Sequence, residues 1–456
     1  MASTSTELQP VGASTDRTDG AEINGNDFAV GQEFCLPPVD RGKDAWLFLG
    51  AAFLVDCFVW GFPFAFGVFQ DYYRTHEPFA GSGQTTAVGT CAMGIMYLGC
   101  PVIMAFIRYY PKESRFSPFF GLVVMSCCLV ASSYSTTITH LILSQGVGYA
   151  LGGTICFCPC VVYVEEWFVK RKGFAYGVMW AGTGTGGCTI PLLLEFLLNR
   201  YGFRFTLRLW SGLIFALVAP FLYFLKPRIK SSPARRSRRI DFGFLFHPTF
   251  LVYQLPSIVQ AFGFFLPTLW LPSYVRDVFG ASSFQAALIV VALNVAAVVG
   301  NVIMGWLVDR LHVSTCIMIS TLGAVLSTFL IWGLAANLGM IYAFCLIYGL
   351  FAGSYTATWA GVMRLMSKPG GSSEQAGTGP SGTVFDPIMM FSALEAGRGI
   401  GNLVSGPLSE GLNRGFPWEG QALAGYGSGY GALIVFTGVT ALMGGSGSVA
   451  RRIGLV

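Results

Sequence analysis

Residues Leu141 to Phe196 read LILSQGVGYALGGTICFCPCVVYVEEWFVKRKGFAYGVMWAGTGTGGCTIPLLLEF. Two apolar runs, Leu141–Tyr163 and Phe174–Phe196, flank a short polar segment that ends in Lys170, Arg171 and Lys172. Each run is about 20 residues long, enough for an α-helix to cross the ~30 Å hydrocarbon core of a bilayer. The stretch therefore reads as a pair of transmembrane helices, with a basic loop that stays on the cytoplasmic side.

The same pattern recurs outward in both directions. Upstream runs lie at Trp46–Phe69, Thr86–Ile107 and Ser117–Tyr134. Downstream ones lie at Thr206–Leu225, Thr249–Leu271, Phe284–Trp306, Thr315–Ala335, Met340–Met363, Phe385–Leu408 and Tyr430–Gly444. The expected fold class is all-α and membrane-integral, with twelve helices in two bundles of six. Composition agrees: 53% of residues are hydrophobic and only 11% charged, against about 25% charged in soluble domains. A soluble enzyme is excluded on that ground.

The division by residue is a tail over 1–40, a first bundle over 41–225, a basic cytoplasmic linker over 226–248 and a second bundle over 249–450. The tail is rich in Ser, Thr, Gly, Asp and Glu, a composition that does not fold alone. It also lacks the basic and apolar regions of a cleaved signal peptide. The segment Ser367–Thr383 is Gly/Ser-rich and reads as a flexible loop. The formal net charge of +5 resides in short loops, so no nucleic-acid partner is expected. Counted by side, those loops carry 18 Lys and Arg against 6. The positive-inside rule then places both termini in the cytosol, and a multi-pass protein of the plasma membrane is expected.

Local motifs narrow the class. The stretch Trp167 to Gly177, WFVKRKGFAYG, followed by Ala181 and Gly182, resembles the fifth-helix signature of the monocarboxylate porter family within the major facilitator superfamily. Asp44-Ala45-Trp46, Gly61-Phe62-Pro63 and Gly67-Val68-Phe69 are similar to that family's first-helix pattern. Gly305 to Arg310, GWLVDR, resembles the general facilitator loop after helix eight. Phe262 to Pro267 and Gly399 to Pro407 resemble the fungal branch. The resemblance spans Asp44 to Arg452 and implies a secondary transporter. Two departures bear on substrate. Family members that carry lactate-like acids have a Lys after the helix-one Phe-Pro, where Phe64 stands here. They also carry an acid and an Arg in helix eight, absent around Asn294, Val299 and Asn301.

A charge at bilayer depth is costly and needs a partner, a wet cavity or a function. Asp56 falls near the middle of helix one, and Glu395 and Arg398 share one face of helix eleven. Gln260, Asn294 and Ser354 add uncharged polar groups at similar depth. Facilitator folds bind at the midplane between their halves, so Asp56, Arg398, Glu395, Gln260, Asn294 and Tyr355 form the candidate substrate and coupling set. Arg398 suits a carboxylate or enolate; alternatively it forms a structural ion pair with Glu395 or Asp56. Asp56 reads as a protonation site or as a hydrogen-bonded acid within the bundle. Trp60, Tyr355 and Trp359 either line a cavity or pack.

Gating or signature roles fall to Lys170, Arg171, Gly177, Gly182, Asp309 and Arg310. Glu165 and Glu166 are placed to pair with Lys170–Lys172. The glycines of helix five serve bending or close packing. Cys156, Cys158 and Cys160 read as packing residues, because their spacing spreads them around a helix and no His is near. The histidines lie near helix ends, so any proton coupling should use carboxylates.

No Gly-Lys-Ser/Thr phosphate loop occurs, so ATP is not the expected energy source, and no cofactor or metal is expected. Neither is enzymatic activity, since no His/Asp cluster or nucleophile triad falls at one depth. The leading expectation is a monomeric carrier of a small organic acid or metabolite, exporting a secondary metabolite, with protons as a possible co-substrate. Proton-linked uptake of a monocarboxylate or vitamin-like acid is the alternative, and a non-transporting membrane sensor a more remote one. An epitope tag on either terminus should bind antibody only after the plasma membrane is permeabilised. Labelling of intact cells would reverse the orientation.

Overall fold

A computed structural model describes residues 37–80, 85–229, 242–367, 385–415 and 417–453. These residues are helical or irregular, with no strand among them. The expected tail up to residue 36, the basic stretch 230–241 and most of the Gly/Ser-rich segment, 368–384, lie outside the described residues.

Ten helices are long and apolar enough to cross a membrane. One of them, Lys172–Leu222, has 51 residues, over twice a bilayer-spanning length. It is two helices meeting at Gly202, whose φ of 76° and ψ of 170° break the helical path. Only glycine adopts such a conformation without strain, so one residue makes the turn. The sequence pattern predicts a connection over residues 197–205, which the two helices instead occupy up to Gly202 on either side. A further helix, Pro387–Asn413, is long enough but carries Glu395, Arg398 and Glu410. Twelve spanning helices result among the described residues.

We number them α1 (Lys43–Thr75), α2 (Thr85–Tyr109), α3 (Glu113–Ser132), α4 (Ile138–Trp167), α5 (172–201) and α6 (203–222). The second six are α7 (Pro248–Phe279), α8 (Phe284–Arg310), α9 (Val313–Trp332), α10 (Leu338–Met366), α11 (Pro387–Asn413) and α12 (Gly431–Arg451).

Start signals are local. Ser282 and Gln285 form a reciprocal capping box before α8. Asn337 caps α10, accepting from Met340 N–H at 2.9 Å. Asp386 caps α11, with Pro387 as its first residue; Pro there gives up an N–H that would have no partner in the helix. The first helix of each half is interrupted near its centre. α1 breaks at Ala65, just after Pro63, and α7 breaks at Phe265, just before Pro267. Matching interruptions in two halves are characteristic of carriers built from repeats.

Within the first half α1 lies along α5, and α3 along α4; within the second, α8 lies along α10 and α7 against α11 and α12. The halves meet where α5 crosses α8 and α2 crosses α11. Small residues permit these approaches, as expected where lipid supplies no hydrophobic drive between helices. A Cβ on Gly121 would stand 2.5 Å from Cys156 N, and one on Gly152 would stand 2.6 Å from Met125 N. Gly152→Leu is expected to cost about 1–3 kcal/mol through overpacking, read as a lower melting temperature in detergent. An unchanged melting temperature would contradict this helix contact.

Candidate substrate-binding site

The site begins on α11, where Glu395 and Arg398 are both buried. The guanidinium carbon of Arg398 lies 4.1 Å from the ring centre of Phe264 and 5.3 Å from that of Phe265, at the break in α7. Stacking on aromatic faces stabilises a cation electrostatically while leaving its N–H edge unused. Among the described residues no carboxylate comes within ion-pair distance of Arg398, and its Nη1 has no hydrogen-bond partner. The expected alternatives of a fixed pair with Glu395 or Asp56 are therefore not the arrangement seen. Tyr97 of α2 is within hydrogen-bonding reach of the guanidinium, and Tyr348 and Tyr355 of α10 lie in its field.

Asp56 is fully buried on α1 and faces α5. Its Oδ2 accepts from Thr183 N–H at 3.2 Å and from the Thr183 hydroxyl, while Oδ1 has no partner. Glu395 Oε2 is likewise unpartnered, and Glu395 feels the charges of both Arg398 and Asp56. Gln260 on α7 is buried with its Oε1 unsatisfied. Buried polar atoms are normally satisfied. Four such groups, on α1, α7 and α11, each leave an atom unpartnered among the described residues.

The other sequence candidates have hydrogen-bond or packing partners of their own, and of these Tyr355 stays close to Arg398 and Gln260. Asn294 gives its amide hydrogens to Gly187 and Val290 carbonyls at 3.3 and 3.1 Å, joining α8 to α5. Ser354 donates to Phe351 O at 3.0 Å. Tyr355 donates to Gly444 O at 3.1 Å, tying α10 to α12. Trp60 packs on Tyr97 (ring centres 4.6 Å apart) and Phe157 (5.5 Å). Trp359 belongs to an aromatic layer with Trp180 and Phe391, at 5.9 Å from each.

That layer lies toward the end of the bundle that carries the basic loops, where the halves are held together. Asp309 accepts from Gly173 and Phe174 N–H, each at 2.8 Å, and pairs with Arg364 at 3.0 Å. A Cβ on Gly173 would stand 3.0 Å from Asp309 Oδ1, so only glycine allows the carboxylate this near. Gly177 meets the backbone of Asn301 and Gly305 across the same crossing. Gly182 instead meets Phe53 and Cys57 within the first half. Arg310 turns away from Asp309 and lies 4.0 Å from the Trp306 ring. On the other crossing, Arg108 of α2 pairs with Asp386 at 2.5 Å.

Lys170 and Arg171 are held here by their backbone. With Val169, their N–H groups are gathered by the Asp40 carboxylate at 2.9–3.2 Å. Asp40 is the last residue of the expected tail, yet it is docked here. Its own N–H donates to Trp167 O at 3.0 Å. Glu165 pairs with Lys172, whereas Glu166 accepts from Ile229 N–H at 3.2 Å. Sequence reading missed Thr183, Tyr97, Asp386 and the role of Asp40. Only Asp386-Pro387 carried a local signal, as a helix start.

The architecture is that of an alternating-access carrier. The family model "Major Facilitator Superfamily" matches residues 49–381, and the chain belongs to that superfamily. It is 28% identical to the agnestins efflux protein of Paecilomyces divaricatus over 77% of this chain and 80% of the relative. It is 27% identical to monocarboxylate transporter 12 of Xenopus laevis over 52% of this chain and 58% of the relative. Among solved structures, the human organic anion transporter MFSD10 (TETRAN) aligns with a TM-score of 0.62 at 14% identity. The alignment covers 89% of this chain and all of that one, a likeness of fold. The chain is thus a multi-pass membrane transporter of the superfamily.

The clasp across α2 and α11 is testable by a double-mutant cycle. Arg108→Gln and Asp386→Asn (Asn keeps the helix cap) should each lower the melting temperature. Together they should cost less than their sum, with a coupling of about 0.5–3 kcal/mol. Strict additivity would mean that the pair contributes nothing.

Proposed function

We propose that the chain exports an amphipathic organic anion of secondary-metabolite type, and that Arg398 receives its negative group. The observation that carries this reading is the guanidinium itself, buried and stacked on two phenylalanines with no carboxylate among the described residues in pairing distance. A permanently charged group at this depth is expensive unless it has work to do. The flat aromatic surroundings suit the carbon skeleton, and the guanidinium fork suits a carboxylate or enolate. The efflux role of the Paecilomyces relative supports export.

The unpartnered oxygens of Asp56 and Glu395 support protons as a co-substrate. A proton on either acid removes an anion that competes for Arg398, so proton and substrate bind in synergy. Direction then follows the combined gradients, and a metabolite made in the cytosol supplies an outward one. Proton-linked uptake of a monocarboxylate uses the same groups, and the Xenopus relative favours it as the second reading.

We place the basic loops and both termini in the cytosol, with the protein in the plasma membrane, by the positive-inside rule. In that orientation the clasps at Asp309 and Asp386 close the cytosolic end. The Gly and backbone contacts of α5 with α8 then part when the carrier opens inward.

The test is flux in proteoliposomes against a panel of amphipathic organic anions. A hydrogen bond to a charged group contributes about 1.5–3 kcal/mol, so Arg398→Gln should slow flux by roughly ten- to a hundredfold. Arg398→Lys should retain part of it. If Arg398→Gln moves every anion as fast as the unmodified protein, the reading fails. Asp56→Asn and Glu395→Gln should flatten the dependence of flux on a pH gradient. Full retention of that dependence in both would remove them as proton carriers.

A further inference from the structure

A second polar site lies at the basic end of the first half, away from the midplane. There a cavity of about 590 Å³ opens between the end of α2, the α2–α3 turn, the end of α4 and the chain leaving α6. Arg108, Lys112, Arg115 and Lys226 line it, facing the single carboxylate of Glu166. Two of the cations are engaged: Arg108 with Asp386, and Lys226 with its Nζ 3.4 Å from the Tyr223 ring centre. Lys112 and Arg115 are exposed and have no ion pair among the described residues. The wall supplies one further donor. Tyr163 is only 3% exposed and lines the cavity beside Ser114, whose hydroxyl is the side-chain group within reach of its own.

The surroundings identify the occupant. Phe116 lines the cavity and is 71% exposed, and Phe119 and Phe120 on the next turn of α3 are 52% and 59% exposed. Such rings on a spanning helix face acyl chains. A soluble phosphate compound would find the cations but waste this apolar flank. A phospholipid matches both, because its anionic headgroup lies at the depth where helices end and its chains lie beside α3.

We propose that this cavity binds the phosphate headgroup of an anionic phospholipid, through Lys112, Arg115 and the Tyr163 hydroxyl. Arg108 connects the site to the carrier's cycle, since the same guanidinium clasps Asp386 of α11. A headgroup phosphate draws on that cation and loosens the clasp. This site does not depend on the identity of the midplane cargo.

Native mass spectrometry of the full chain in detergent tests it, by titration with phosphatidylserine or phosphatidylcholine. Phosphatidylserine should be retained at least about fivefold better, and Lys112→Gln with Arg115→Gln should abolish that preference, as expected for a charge-dominated contact. Tyr163→Phe removes one oxygen and should weaken retention about two- to threefold; it carries the test if the double variant does not fold. Millimolar inorganic phosphate should not displace the lipid. Equal retention of the two lipids would overturn the proposal. So would undiminished phosphatidylserine binding by a folded double variant, or displacement by inorganic phosphate, which would assign the cations to a soluble ion.

Discussion

A guanidinium within a membrane-spanning bundle has no bulk water to solvate it, and the arrangement around Arg398 answers that constraint. A counter-ion is the usual remedy, but Glu395 stands one turn away without pairing. The charge rests instead on the π-faces of Phe264 and Phe265. Those rings stand at the interruption of α7 at Phe265, so the break in the helix shapes the surroundings of the cation. Backbone irregularity at bilayer depth is tolerated only where protein or a cavity covers it. Here it meets the chain's most polar spanning helix.

On the proposed function, the remaining architecture serves to expose that charge to one side at a time. At the basic end, Asp309 binds backbone N–H groups of α5 and Arg108 binds Asp386, so each crossing of the halves has its own clasp. The two differ physically. The first uses main-chain donors and a glycine with room for nothing larger, so it tolerates little sequence change in α5. The second is a side-chain ion pair with partial exposure, hence more responsive to salt and to competing anions. Between clasps and site, Trp180, Trp359 and Phe391 form an aromatic layer drawn from both halves.

Much of this was legible in the sequence because lipid is a strict solvent. Asp56, Glu395 and Arg398 stand out, since charged residues in apolar runs are few and each needs a reason. The twelve helices followed from run length, α5 and α6 included; only the turn between those two, made by a single glycine in place of a connecting loop, did not. What sequence could not supply was pairing between distant, ordinary residues. Thr183 looks like any small polar residue in a Gly-rich helix until it meets Asp56. Arg108 looks like a topology charge until α11 brings Asp386 beside it. Asp40 belongs by composition to a tail, and only its geometry makes it an acceptor for three successive N–H groups. The proximity of Glu395 and Arg398 on one helix suggested a pair, but their neighbours on α7 drew the guanidinium away.

The central claim is that the midplane cation is free to bind an anion. It is tested most directly by ligand-induced thermal shift on the purified protein, using amphipathic acids paired with their neutral primary amides. The acids should raise the melting temperature, their amides should not, and Arg398→Gln should erase the difference. If acid and amide stabilise the protein equally, or if Arg398→Gln preserves the discrimination, the guanidinium is structural and the anion site lies elsewhere.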